Sequence, residues 1–552
     1  MTRIIPEKES ISVEFKSDLN CLPDSDIVDT IVALSNTSGG NLYLGVEDNG
    51  IITGVHKDHK DITRLYAFIA NNTVPPVSAR VELIIDTEPV IKISVPKSVN
   101  GIIATASGRV LRRRLKADGT PESVPMFPAE QASRLSDLRM VDYSALMLTE
   151  ASLDDFDPVE IQRLRNNIQA YDGEKNLLEL SDIDLFQALG FCRDFENHSI
   201  PTLTGLLILG RVNSIKKYVP THSMSFQVLT GTEVRVNDSF ELPILAAIEK
   251  LNTYLDAWNP NHELELGMFR MSAPDFDKRA VREALINAFS HRDYTRLGRI
   301  RVSIDDSGLV IANPGGFIEG VNLKNLLTVE PHGRNPGLAD ALKRIGLAER
   351  TGRGIDRIYE GSLIYGRFLP DYSNSTDTTV SLLLPRCEPD AQIARMIANE
   401  QNRLGRPLSI NTLLILNILK DSPRSTAQQI AESSNLSETL VRVELEQAIS
   451  SGLAEAIGTG RGRTYILSHS VYQSKGQRVG YVRQKDIDKA RYEELVIELA
   501  KNNQFISRAD VVALLHINEP QAYLVLKNLA DRGLLIPLNK GRYAKYRYNN
   551  KE

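Results

Sequence analysis

Cysteine is scarce in this chain: Cys21, Cys192 and Cys387 are the three in 552 residues. They stand too far apart in sequence for a disulfide framework or a thiolate metal site, so they are expected to be buried thiols. Apolar runs are short as well, none approaching the ~18 residues of a membrane-spanning helix. The opening MTRIIPEKES lacks the apolar core of a signal peptide, so a cytoplasmic protein with no membrane partner is expected. The pattern GxxxxGK followed by Ser or Thr occurs nowhere, which argues against P-loop ATPase or helicase chemistry.

What is present is ordinary globular composition, 42% hydrophobic and 24% charged, in a chain too long for a single core. The net charge of −5 is unevenly spread: residues 401–552 carry 22 basic and 15 acidic side chains, a balance of +7 against −12 for residues 1–400. A polyanionic partner is therefore expected at the carboxy-terminal part.

The organisation expected is α/β in the first two thirds and helical in the last. Residues 1–135 open with SISVEFK, where Ile11, Val13 and Phe15 alternate with polar residues as in a half-buried strand. A helix follows with Ile27, Ile31 and Leu34 on one face, and NLYLGVEDNGIITGV then reads as a hairpin turning at Asp-Asn-Gly. Residues 136–270 form a connecting region. Residues 271–390 form a second α/β unit, with a helix through EALINAF, a hairpin RIRVSIDDSGLVIAN, and helices from about Leu338 and Ile355. Two copies of one helical plan occupy 405–470 and 485–552, with Leu445, Gly452 and Leu453 aligned on Leu526, Gly533 and Leu534. Ser425 with Gln428, Ser437, and Ser507 with Asp510 are candidate helix caps.

Glu283 and Asn287 are four apart and share one helical face. The amide oxygen suits Mg²⁺ and the acid can orient water, although a solvated polar stripe is the alternative. NPGG at 313–316, HGRNPGLAD, and RTGRGIDRI with Gly352 and Gly354 opening a helix follow in that order. This succession resembles the GHKL (Bergerat) ATPase fold of gyrase B, histidine kinases and heat-shock chaperones. The details HRDY, NPGGF, RNP and GRGI are similar to a subgroup found in bacterial Schlafen-like, AlbA-containing regulators. The resemblance implies ATP with Mg²⁺, Glu283 as general base, Asn287 as metal ligand, and Gly352 and Gly354 as phosphate loop. Gly315 and Arg334 fall in its cofactor motifs, and Asn313 stands where most relatives use Asp for the adenine amino group.

ESISVEFK, the following helix and NTSGGNLYLGVEDNG resemble the Schlafen-type AlbA domain. In its nuclease members two glutamates and a later aspartate bind a divalent metal for RNA cleavage. Glu9, Glu14 and Asp48 occupy those positions, with Lys16 after the second acid, for Mg²⁺ or Mn²⁺. Strict alternation puts residues 9 and 14 on opposite strand faces, so Glu9 must lie before the strand or past a bulge. A solvated strand face and a simple Asp-Asn-Gly turn are the alternative reading.

The two carboxy-terminal copies look like winged helix-turn-helix domains, whose wings would carry Arg461 and Arg463, and Lys540, Arg542 and Lys545. The assembled expectation is an ATP-responsive nucleic-acid effector, a homo-oligomer that engages RNA at the amino-terminal domain and duplex DNA at the winged helices. Two classes stay open: an ATP-gated metal-dependent nuclease, and a DNA-binding transcriptional regulator without cleavage.

Overall fold

The computed structural model describes residues 5–196, 198–266, 269–330, 332–349, 352–422, 424–458, 460–468, 489–503, 505–515, 519–538 and 544–549. The amino-terminal sheet runs Val13–Lys16, Gly40–Leu44, Pro89–Val95, Arg80–Ile85 in spatial order. The first two strands are parallel, with Glu14 opposite Leu42. Helix Asp24–Ser35 connects them and buries Ile27, Ile31 and Leu34 in the core beneath.

Two local expectations are corrected here. The first strand begins at Val13 rather than Ser10, because Ser10 and Val13 exchange backbone hydrogen bonds across a tight turn. The expected hairpin at 41–55 has no second strand beyond a single bridge, Val46 with Ile52. Gly40–Leu44 already has a partner on each side, so no free edge remains for the returning chain.

One core extends from Ala151 to Leu384. Its five-stranded sheet, in order Glu233–Phe240, Met224–Thr230, Ile300–Ile304, Gly308–Pro314, Thr379–Pro385, draws strands from both sides of residue 270. The connecting region is thus half of this unit, and a boundary at 270 would cut through its packing. Helix Lys278–His291 lies against the sheet, capped by the Asp277 carboxylate, which accepts from Arg279 N and Ala280 N.

The carboxy-terminal plan does occur twice. Helices Ile410–Asp421, Ala427–Ser434 and Glu438–Ser450 are followed by strands Ala454–Ile457 and Thr464–Leu467. Helices Lys489–Asn502, Arg508–Leu515 and Glu519–Asp531 are followed by Leu535–Pro537 and Lys545–Tyr548. A two-residue strand completes each three-stranded sheet. Gly452 and Gly533 have φ of +70° and +74° and end the third helices, a conformation that favours glycine. Ser437 caps as expected, and Ser507 pairs reciprocally with Asp510. The first capping box is Thr426 with Gln429, one residue beyond the expected pair, and Ser425 Oγ donates instead to Ser422 O (2.7 Å).

The units are physically joined. Helix Gly354–Leu363 places Ile358 in the sheet core and Leu363 in the core of the first helical copy. Helix Pro128–Asp137, which follows the amino-terminal domain, packs against the loops around residues 293, 319 and 334.

Candidate nucleotide site and nucleic-acid surfaces

A cavity of about 270 Å³ opens between helix Lys278–His291, the sheet and the segment 316–333. Glu283, Asn287, Asn313, Gly352 and Gly354 all line it, although they come from three separate stretches of chain. Glu283 is buried, and burial first, then the Glu349 charge, pushes its carboxyl up to about 7. A Cβ on Gly354 would overlap Glu283 Oε1, so glycine is what lets the helix amino terminus approach the acid. Asn287 is half-buried on the same helix face. Asn313 Nδ2 donates to Pro314 O (3.3 Å), which leaves its carbonyl oxygen as the acceptor offered to the cavity.

Several lining residues escaped the sequence reading. Lys343, from helix Pro336–Ile345, brings a cation to the wall. His291 is kept neutral by burial and by the Arg334 guanidinium, which together hold it at about 4. Tyr372 is buried beside them, its phenol pushed up by burial. His291 belongs to the HRDY stretch, whereas Lys343 and Tyr372 sit in no recognisable short motif, so only the folded wall reveals those two.

Gly315 and Arg334 lie behind the wall instead of lining it. Gly315 has φ +100°, and a Cβ there would come within 2.8 Å of Asp293 Cβ. Arg334 is buried and donates to Gly316 O (2.9 Å) and His291 O (3.2 Å), and it pairs with Asp137. Asn335 donates to Ser290 O and Arg292 O, closing the end of the Glu283 helix. The RNP and HRDY stretches are therefore a frame around the cavity. Asp293 extends that frame to the amino-terminal half by accepting from Ser133 Oγ (2.5 Å). Glu319, on the segment over the cavity, accepts from Arg134 Nη1 (2.7 Å) and Lys97 Nζ (2.9 Å). Against the effect of burial, these two cations hold its carboxyl below the usual range.

At the amino terminus, Glu9 lies in the loop before the strand, and the Ser10–Val13 turn folds it back. Its Oε1 accepts from Phe15 N (2.9 Å), which resolves the strand-face difficulty. Burial raises its carboxyl, and the Glu14 and Asp48 charges add to that rise. Glu14 is buried, with Oε1 accepting from Lys16 Nζ (2.6 Å) and Oε2 from Arg113 Nη1. Arg113, missed in the sequence reading, also donates to Ser10 O (3.0 Å) and has its side chain fully buried. Asp48 is exposed on the turn. Among the described residues, the metal-type ligand atoms gathered within 4.8 Å of one another belong to Cys21, His56 and Asp58. The three expected acids are not so gathered.

In the carboxy-terminal copies, Arg463 Nη1 reaches back to Glu446 Oε1 (2.7 Å) on the third helix. Lys545 is exposed on its strand with Nζ 4.0 Å from the Phe505 ring centroid. The backbone of Arg461 lies in the short turn Gly460–Gly462, whereas Lys540 and Arg542 lie outside the described residues.

Residues 9–119 match the family model described as Schlafen, AlbA_2. Residues 132–225 match a domain of unknown function, and residues 298–383 match the model described as the carboxy-terminal domain of a putative ATP-dependent DNA helicase recG. A Schlafen AlbA_2 domain is thus present, which implies nucleic-acid binding, together with an ATPase-related domain. No curated protein matches the chain. Among solved structures, the DIP2311 protein of Corynebacterium diphtheriae is similar in fold, at 21% identity and a TM-score of 0.50, over 98% of this chain and 95% of that one. Among the described residues, no helix is long and apolar enough to cross a membrane.

Proposed function

We propose that this chain is an ATP-responsive nucleic-acid-binding effector, with a GHKL-type nucleotide site between an AlbA domain and tandem winged helices. The observation that carries the reading is the double attachment of the cavity. Its covering segment is bonded to the amino-terminal half through Glu319 with Arg134 and Lys97, and its frame through Asp293 with Ser133. Its glycine-opened helix ends in the core of the first helical copy at Leu363. A ligand that repositions either wall therefore changes both nucleic-acid-facing ends.

The residues fit a magnesium nucleotide. Asn287 supplies an amide oxygen for the ion, Gly352 and Gly354 open a helix amino terminus to phosphate, and Lys343 adds a cation. Asn313 would accept from the adenine amino group of a bound nucleotide. Glu283, at about 7, is matched to proton transfer near neutral pH, so it orients and deprotonates the attacking water. Bound nucleotide supplies the reacting phosphate and its divalent ion supplies charge neutralisation.

At the amino-terminal domain, Glu9, Glu14 and Asp48 with Lys16 are the candidate centre for metal-dependent RNA cleavage. The regulator without cleavage is favoured by one observation: both oxygens of Glu14 are already engaged, by Lys16 and Arg113. Labelled RNA and duplex DNA, incubated with the full chain and Mg²⁺ or Mn²⁺ with and without ATP, separate the two. Cleavage that depends on ATP supports the nuclease, and ATP-dependent DNA binding without cleavage supports the regulator. Nucleic-acid binding indifferent to ATP would overturn the gating.

A further inference from the structure

We propose that Cys21, His56 and Asp58 form a zinc-type divalent-metal site on the face of the amino-terminal domain, separate from the Glu9, Glu14 and Asp48 acids. Ligand atoms of the three lie within 4.8 Å of one another. Cys21, expected to be a buried thiol, is half-exposed like His56, and Asp58 is exposed, so an ion can enter from solvent. His56 Nδ1 is 3.4 Å from Asp58 Oδ2, which is long for an ionic hydrogen bond. That spacing matches the roughly 3.3 Å between tetrahedral ligands held at ~2.0 to 2.1 Å from zinc, and the long bond that Nδ1 accepts from Asp58 N (3.4 Å) is the one that ligation would replace.

The ligand chemistry selects the metal class. One thiolate, one imidazole and one carboxylate suit zinc and reject Mg²⁺, which takes oxygen ligands. Three protein ligands leave a fourth position for water.

The supporting network is already assembled. Asp18 is fully buried and accepts from Leu22 N (2.8 Å), His56 N (2.7 Å) and His59 Nδ1 (2.9 Å). It thereby fixes the residue after Cys21 and the backbone of His56 on one carboxylate. Cys21 itself is held at φ +57°, a conformation a non-glycine residue adopts only when its surroundings impose it. The loop after strand Val13–Lys16 and the loop at 53–60 are thus brought together with their ligands facing. The ion cross-links them beside the strand that carries Glu14 and Lys16.

The test uses the full chain, stripped with chelator, loaded with Zn²⁺, desalted and measured for bound metal, with Co²⁺ as a spectroscopic substitute. The expected result is one zinc per chain and a thiolate-to-cobalt charge-transfer band. Both should fall at least tenfold in Cys21→Ser and in His56→Ala, with circular dichroism unchanged. Both should persist in Glu9→Gln combined with Asp48→Asn, which keeps this site distinct from the acids of the proposed nuclease centre. Zinc retained at full stoichiometry by Cys21→Ser, or no zinc held by the wild-type chain, would overturn the proposal.

Discussion

The carboxylate of Glu283 fills the space that a side chain at residue 354 would need, so the base candidate and the phosphate-loop glycine are in direct contact. The atom met by an added methyl is the free end of a flexible acid, so the acid gives way while the helix stays. Gly354→Ala should leave the melting temperature within a few degrees and lower ATP turnover at least tenfold, since Glu283 is displaced from the cavity. Turnover equal to wild type in that variant would remove Glu283 from the base role.

Protonation of Glu283 links stability to pH with a definite sign. Its carboxyl titrates at about 7 when folded, against 4.5 ordinarily. Between those values the folded chain holds a proton that the unfolded chain has released, so stability declines as pH rises through this window. The loss is complete above about pH 7 and is on the order of 3 kcal/mol. His291, held at about 4, acts oppositely and loses stability as pH falls below its ordinary 6.5. Denaturation of Glu283→Gln against wild type isolates the acid: the variant should be more stable at pH 8, with little difference at pH 4.5.

Asn287 is the candidate ligand on the same face. Mg-ATP at a hundredfold excess over its dissociation constant should stabilise the chain by ~2.7 kcal/mol through linkage. Thermal melts of Asn287→Ala should show that shift abolished, with the nucleotide-free melting temperature close to wild type. A shift of unchanged size would mean that the cavity holds nucleotide without this amide.

Glu14 has a structural debt to Arg113 as well as a candidate catalytic role. Glu14→Gln leaves the buried guanidinium poorly compensated and should cost ~3 kcal/mol in urea denaturation. Loss of cleavage in that variant would therefore be ambiguous. Glu9→Gln, whose main bond is to a backbone amide, should lower any RNA cleavage tenfold or more at a smaller cost in stability.

Charge should dominate DNA binding by the carboxy-terminal copies. Arg461→Ala with Arg542→Ala in the full chain should weaken binding across unrelated duplexes and reduce the slope of log affinity against log salt by about 2. An unchanged slope would reassign these copies to protein contacts.

Local pattern alone determined much of this protein. The Ile27, Ile31 and Leu34 stripe, the Glu283 and Asn287 face, the hairpin at 300–314 and the duplicated helical plan all depend on period and turn residues within a few positions. Such preferences act between near neighbours, so they are readable from the chain itself. Tertiary structure decided what distant segments bring to one place. The expected strand begins only at Val13, because the Ser10–Val13 turn folds Glu9 back onto Phe15 N. The hairpin after Gly40–Leu44 was lost to strands already flanking it, and the sheet crossed residue 270 because distant strands pair, Met224 with Ile300. Arg113 with Glu14, Arg334 with Asp137, and Cys21 with His56 and Asp58 follow the same logic. Each contact joins groups with no local preference for one another, and only the burial and packing of the whole chain sets their distance.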